Sequence, residues 1–374
     1  MEQQQVNDQG GSTEHPYWLG FSLIPGIGSR RIETLLHAFG TLSTAWHAPE
    51  AQLRAAGLPD QSLHSLVTGR KRLDLHQEWT KVIRTGARLI IRTDDAYPTR
   101  LAEIEDAPPL LYVRGEVTAA DSRALAIVGT RKPSHYGLEV ARKLARELAE
   151  QGITIISGLA QGIDAAGHQA ALEAGGRTIA VLGSGIDQIY PREHYTLASR
   201  LIEQGALISE FPLGSPPDAR HFPQRNRIIS GLSLGVLVVE APEKSGALIT
   251  ATYAVEQGRD VFAVPGNILN PASRGGHRLI QDGAKLVTDV RDILEEFDIT
   301  YAQNEVREVT EQAAPESDVE RQIFRLLSHE PLHVDVVIRQ CGLPTALVTS
   351  TLTILELKGL VNNIGGMQYI KTGE

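Results

Sequence analysis

Short runs that are apolar throughout recur along the middle of this chain, and they restrict its fold more than any other feature. They are Leu125–Val128, Ile153–Ile156, Thr178–Leu182, Ala206–Ile208, Gly235–Val239 and Val261–Val264. A strand with one solvated face alternates apolar and polar residues, whereas a run without alternation suits a parallel strand covered on both faces. Segments of helical periodicity separate most of the runs: Gly137–Gln151, Asp164–Ala174, Arg192–Glu203 and Ala247–Gln257. Strand, helix and strand in repetition predict an α/β doubly wound parallel sheet with right-handed crossovers.

The flanks read differently. Residues 1–14 are polar and rich in Gln, which predicts a disordered tail. From Tyr17 to about Arg84 apolar residues recur at helical spacing, a module assigned to 15–107. Within it, Leu23-Ile24-Pro25-Gly26-Ile27-Gly28-Ser29-Arg30-Arg31 has the form of a hairpin between two helices. Its glycines either aim backbone N–H groups and nearby arginines at phosphates or simply close the turn. Downstream, 298–316 is polar and aperiodic, a linker. Ser317-Asp318-Val319-Glu320 has the form of a capping box opening a helix. Two further helices, Val334–Arg339 and Thr345–Lys358, and a strand pair turning at Gly365-Gly366 predict a winged helix over 317–374. Its third helix carries Thr345, Thr349, Thr351 and Thr353 but only Lys358 as a cation, which suits partner docking at least as well as groove reading.

Ligands of a doubly wound sheet gather where the carboxyl ends of strands feed helix N-termini. The first end gives Gly129-Thr130-Arg131-Lys132, and the second gives Ser157-Gly158 through Gly162-Ile163-Asp164. The third gives Gly183-Ser184-Gly185-Ile186-Asp187 and runs on to Tyr190-Pro191; the fourth gives Ser209-Glu210-Phe211-Pro212. Glycine lets the backbone approach an oxyanion and a helix N-terminus favours negative charge, so this rim predicts phosphate binding. No strand end completes G-x-G-x-x-G or G-x-x-x-x-G-K-S/T, which argues against a dinucleotide cofactor and P-loop ATP hydrolysis.

A net charge of −9 means that a nucleic-acid binder of this composition must concentrate its cations in one groove. Arg220-His221-Phe222-Pro223-Gln224-Arg225-Asn226-Arg227 does so, with planar donors for phosphate and a ring for base stacking. The alternative is a helix start whose arginines pair with carboxylates. Lys244, beside Ser245 and Gly246 at the start of the next helix, offers a second anion-ready terminus. Glu240 reads as structural, and Asp164 and Asp187 as caps or loop anchors. His168 and His194 read as satisfied histidines. The single cysteine, Cys341, excludes a disulfide framework and a multi-thiolate zinc site. With no signal pattern and no apolar run near 18 residues, the expectation is a cytoplasmic protein away from membranes, without metal or cofactor.

Gly129-Thr130-Arg131, Ser157-Gly158 through Asp164, Phe222-Pro223 through Ile229 and Ser245-Gly246 through Thr250 stand in the order of one family. The chain resembles the DNA-processing protein A (DprA, also called Smf) family, strongly over about Leu110 to Phe297. Its SAM-like or helix-hairpin-helix-like front and its winged helix match an architecture some members share. The resemblance implies an extended Rossmann-like core over 108–297 that binds single-stranded DNA taken up in natural transformation and protects it. It also implies a homodimer, loading of the RecA recombinase onto the strand, and no catalysis. By motif, Arg131 and one of Arg225 or Arg227 would contact phosphates, with Lys244, Ser245 and Gly246 as the opposite lip. Lys132, Ser157, Gly158, Gly162, Gly183, Gly185, Phe222, Asn226, Arg274 and His277 complete the expected DNA-binding set. One departure stands out: His277 occupies a position where members usually have asparagine, so that Arg274 and Arg278 would supply phosphate contacts instead. The rival reading is a nucleotide N-glycosidase of a related Rossmann fold, with Glu256 as its carboxylate; the double glycine and the spacing of that motif are missing.

Overall fold

The computed structural model describes residues 13–297, 317–358 and 360–372, so residues 1–12 of the expected tail and the expected linker lie outside them. The chain divides into two compact units, Met1–Tyr301 and Ala302–Glu374.

The first unit opens with short helices α1 (His15–Ser22), α2 (Ser29–Phe39), α3 (Leu42–His47), α4 (Glu50–Ala55), α5 (Asp60–Gly69) and α6 (Leu75–Arg84). Side chains end the orphan N–H groups of two of them: Thr41 accepts from Thr44 N ahead of α3, and Asp74 from Gln77 N ahead of α6. Glu14 falls in the expected tail but is anchored, its carboxylate accepting from Leu42 N at 2.9 Å and Ser43 N at 3.2 Å.

Strands β1 (Arg88–Ile91) and β2 (Leu110–Gly115) come next, with helix α7 (Thr99–Ala102) between them. Then the expected alternation begins: β3 (Ala124–Val128), α8 (His135–Glu150), β4 (Thr154–Ser157), α9 (Ile163–Glu173), β5 (Thr178–Val181), α10 (Tyr195–Gln204) and β6 (Ala206–Ser209). It continues with α11 (His221–Gly231), β7 (Gly235–Val238), α12 (Gly246–Glu256), β8 (Asp260–Ala263), α13 (Arg274–Gln281), β9 (Lys285–Leu286) and α14 (Val290–Glu296). The strands form one sheet in the order β1-β2-β6-β5-β4-β3-β7-β8-β9. From β6 to β9 neighbours are parallel, while β1 and β2 pair antiparallel at one edge. The sheet therefore starts at Arg88, ahead of the residue 108 expected from the change of period.

Residues of β3, β4, β5 and β7 are buried throughout, as strands between two helical layers must be. The helical module shares a core with this sheet: Trp18, Phe21 and Leu66 belong to the same buried cluster as Leu182, Leu201 and Leu207.

The second unit contains α15 (Asp318–Leu326), β10 (Leu332–His333), α16 (Val334–Cys341), α17 (Thr345–Leu357), β11 (Val361–Asn363) and β12 (Gln368–Lys371). Ser317 Oγ accepts from Glu320 N at 3.1 Å, and Lys358 pairs with the Glu320 carboxylate at 2.9 Å. This is a winged helix: three helices packed on Ile323, Val337, Val348 and Leu352, with a three-stranded sheet ordered β10-β12-β11. No described helix is long and apolar enough to cross a membrane.

Candidate nucleic-acid interface

After β6 the chain crosses back to lay β7 beside β3, so the order reverses at β3. Diverging connections leave a crevice at the carboxyl ends of these strands. The crevice is a cleft of about 760 Å³, walled by the loop after β3, the first turns of α11 and the start of α12.

Glu240, at the end of β7, braces that architecture. Its carboxylate accepts from Ser134 N at 2.7 Å and Asn270 Nδ2 at 3.3 Å, and its carbonyl accepts from Thr130 N at 2.7 Å. The strand-end carboxylate is thus consumed in holding the loop that carries Arg131.

Three cations stand at the cleft. The guanidinium of Arg131 lies over the Phe222 ring, 5.2 Å from its centroid. Arg131, Lys132 and Lys244 are exposed, and among the described residues their charged groups have no ion-pair partner. Gly246 opens α12 with open space where a Cβ would be, beside the Ser245 cap. Phe222 packs at 5.9 Å, ring centre to ring centre, from Tyr190, a residue that is itself 44% exposed. Tyr190 is outside the expected set yet lines the cleft; its place on the third strand-end loop, the same sheet edge as Arg131, is the signal that identifies it.

Arg225 lines the cleft from beneath. It is 4% exposed, and Nη1 donates to the carbonyls of Gly158, at 2.9 Å, and Val181. Burial lowers its pKa to about 10; Asp164 opposes that shift and the Arg131 charge adds to it. Asp164 itself accepts from Gly158 N at 3.1 Å and Ala160 N at 3.3 Å, and burial raises its pKa. The Arg225 guanidinium therefore ties two strand ends together. Asn226 bridges it, at 3.3 Å, to α12 through a bond to the Gly246 carbonyl at 3.2 Å.

Arg227 does not join the cleft. It is 6% exposed and pairs with Asp106 at 2.8 Å and Glu210 at 2.6 Å. Two positions along a helix turn a side chain by about 200°, so Arg225 and Arg227 cannot share a face. Arg220 is likewise engaged, by Asp218 at 2.9 Å.

The expected small residues support the cleft from behind. Ser157 is buried and donates to the Ile127 carbonyl at 2.6 Å. A Cβ on Gly183 would reach within 2.7 Å of the Phe222 ring, so this glycine seats the aromatic wall. Gly185 N donates to Ser215 O at 2.9 Å and the Asp187 carboxylate accepts from Gly214 N, so the Gly185 amide is spent in tying this loop to the Gly214–Ser215 turn. Gly162, at φ +84°, begins α9 where a side chain would strike the Thr130 carbonyl.

Arg274 and His277 line a separate groove of about 480 Å³ with Glu243 and Arg278. The His277 ring is turned to the Gly266 carbonyl at 3.0 Å, and Arg278 pairs with Asp282, so neither is presented as expected. Glu256, the carboxylate of the rival reading, ends α12 and does not line the cleft; at about 1.5 Å per residue it lies about 9 Å along the helix beyond Thr250, the last residue of α12 in the cleft wall.

A family model for DNA recombination-mediator protein A matches residues 88–298, beginning at β1, and one for the DprA winged helix domain matches 308–367. The chain is similar to protein Smf of Escherichia coli K12, 44% identical over 327 residues, covering 86% of this chain and 87% of that protein. It is 47% identical over 213 residues to the DNA processing protein DprA of Bacillus subtilis, covering 57% of this chain and 72% of that protein. The X-ray structure of DprA from Streptococcus pneumoniae is similar with a TM-score of 0.66 and 37% identity, over 76% of this chain and 98% of that one. DNA processing protein A from Helicobacter pylori, solved for its single-stranded DNA binding mode, gives a TM-score of 0.52 and 28% identity over 57% and 97%.

Proposed function

Because this chain belongs to the DNA recombination-mediator protein A (DprA/Smf) family, we propose that it binds single-stranded DNA in the cleft above β3 and β7. Arg131, Lys132 and Lys244 hold successive phosphates, the amides at Gly246 receive another, and a base lies against Phe222 or Tyr190. One observation carries the reading: in a chain of net charge −9, three cations with no ion-pair partner among the described residues and two aromatic rings converge on one crevice. Arg225 acts beneath the strand, setting the shape of the cleft rather than gripping phosphate.

The finer assignments rest on the family. As a mediator of recombination in natural transformation, the protein would protect the strand, act as a homodimer and load RecA onto it in the cytoplasm. It would do so without catalysis. The carboxylate lining the cleft, Asp164, is engaged by backbone amides, and Glu256 is not in the cleft wall, which supports the binding reading over the N-glycosidase one.

Titration of a fluorescent oligonucleotide at two salt concentrations tests the proposal. Wild type should bind with a salt-dependent constant that Arg131→Ala weakens; equal affinity and slope for the two proteins would remove the cleft as the DNA site.

A further inference from the structure

A second cavity, of about 430 Å³, lies at the opposite edge of the sheet, where Asp121 and Ser122 precede β3. Its floor is apolar: Tyr97, Val117, Ile156, Ile179 and Leu232. That size and make-up fall within the range of small-molecule sites, which combine apolar walls with few polar groups.

The ionised groups around it are unevenly matched. Asp121 is held by Arg177 at 2.9 Å, Glu103 by Arg259 at 2.8 Å, and Asp95 is exposed to solvent. Arg100 is partly buried, and its guanidinium makes no hydrogen bond or ion pair among the described residues. Nε of Arg100 and Nε of Arg259 are both shielded from water without an acceptor among the described residues. The two arginines are close: Arg259 Nη2 donates to the Arg100 carbonyl at 3.0 Å. Burial and the Arg259 charge both lower the Arg100 pKa. A guanidinium that has shed part of its hydration beside another cation is stabilised by an anion, and its planar fork suits a carboxylate or phosphate.

We propose that this cavity binds a small organic anion with a flat apolar body, its charged group on Arg100 and its body on the Tyr97–Ile156–Ile179 floor. The site is independent of the DNA cleft. Thymidine 5′-monophosphate, with uncharged thymidine as control, is a suitable probe.

Calorimetric titration of the full chain should show saturable binding of the monophosphate. Arg100→Gln should weaken it by about tenfold or more, equivalent to about 1.4 kcal/mol, and leave oligonucleotide binding unchanged. Ala119→Trp, on the exposed rim, should block the mouth and give the same loss without removing a charge. Arg131→Ala should leave this binding intact. Monophosphate binding that survives both pocket variants but is lost in Arg131→Ala would place the probe in the DNA cleft and overturn the proposal. So would thymidine binding as tightly as its phosphate, or no binding up to about 10 mM.

Discussion

Arg225 threads its guanidinium past Gly158 at a distance that admits no side chain: a Cβ there would come within 2.7 Å of the Arg225 Cζ. The two residues are 67 positions apart and also share a hydrogen bond. Gly158 is thus fixed by the arginine beneath the cleft, not by a phosphate above it. Gly158→Ala should lower stability by about 1–3 kcal/mol through overpacking, read from the denaturant midpoint. An unchanged midpoint would mean that the arginine has another path.

Arg131 and Arg227 should fail in opposite ways. Arg131→Ala should flatten the slope of log K against log salt by about 0.7, the single-strand value for one lost phosphate contact, with stability unchanged. Arg227→Gln should leave that slope alone and destabilise the fold on the order of 3 kcal/mol, since Glu210 would be left buried without its partner. Parallel oligonucleotide titrations and urea melts separate the two; a flattened slope in Arg227→Gln would contradict its placement.

Phosphate donors alone cannot tell a single strand from a duplex, but an exposed ring can, because stacking requires an unstacked base. Tyr190→Ala should cost about 1–3 kcal/mol of single-strand affinity, while Tyr190→Phe retains it. Duplex affinity, measured with the same sequence annealed, should not change. Equal losses on both substrates would deny the ring that role.

His168 sets an acid limit. The Thr178 hydroxyl donates to Ile155 O and so accepts from His168 Nδ1, which leaves Nε2 as a buried lone pair without a donor. Burial first, then the charges of His194 and Arg225, push the His168 pKa down to about 3. The unfolded chain binds this proton near pH 6.5 and the folded chain does not. The stabilisation is therefore complete above about pH 6.5 and is lost as pH falls toward 3, by up to about 1.4 kcal/mol per pH unit. Trp18, Trp46 and Trp79 all lie in the first unit, so tryptophan fluorescence melts at stepped pH report on it directly. His168→Asn should lessen the loss below pH 6.5; an identical profile would assign the acid limit elsewhere.

The alternating centre of the chain was legible because each strand and helix carries its own periodicity. β1 was not: Arg88–Ile91 is four residues long, follows an amphipathic helix directly and finds its partner across α7 in Leu110–Val113. At the site, Arg131, Lys244 and Phe222 could be read from their places after strands and at helix starts. Arg227 was misplaced because its partners, Asp106 and Glu210, come from distant segments. The turn of α11 carried the missing information, since residues two apart on a helix face apart. Ser157 and His277 show the same limit: a polar residue at a strand end or in a motif does not declare whether it faces solvent or a backbone carbonyl.

The shared core of the helical module and the sheet also bears on the Gly26–Gly28 hairpin. Trp18 and Leu66 are packed with Leu182 and Leu207, and the hairpin lies against Pro212 just beyond β6. It cannot swing to search for a strand as a tethered finger would. Any phosphate that touched it would be spaced from the one at Arg131 by at least the three strand steps from β6 to β3, on the order of 14 Å, a ruler built into the protein.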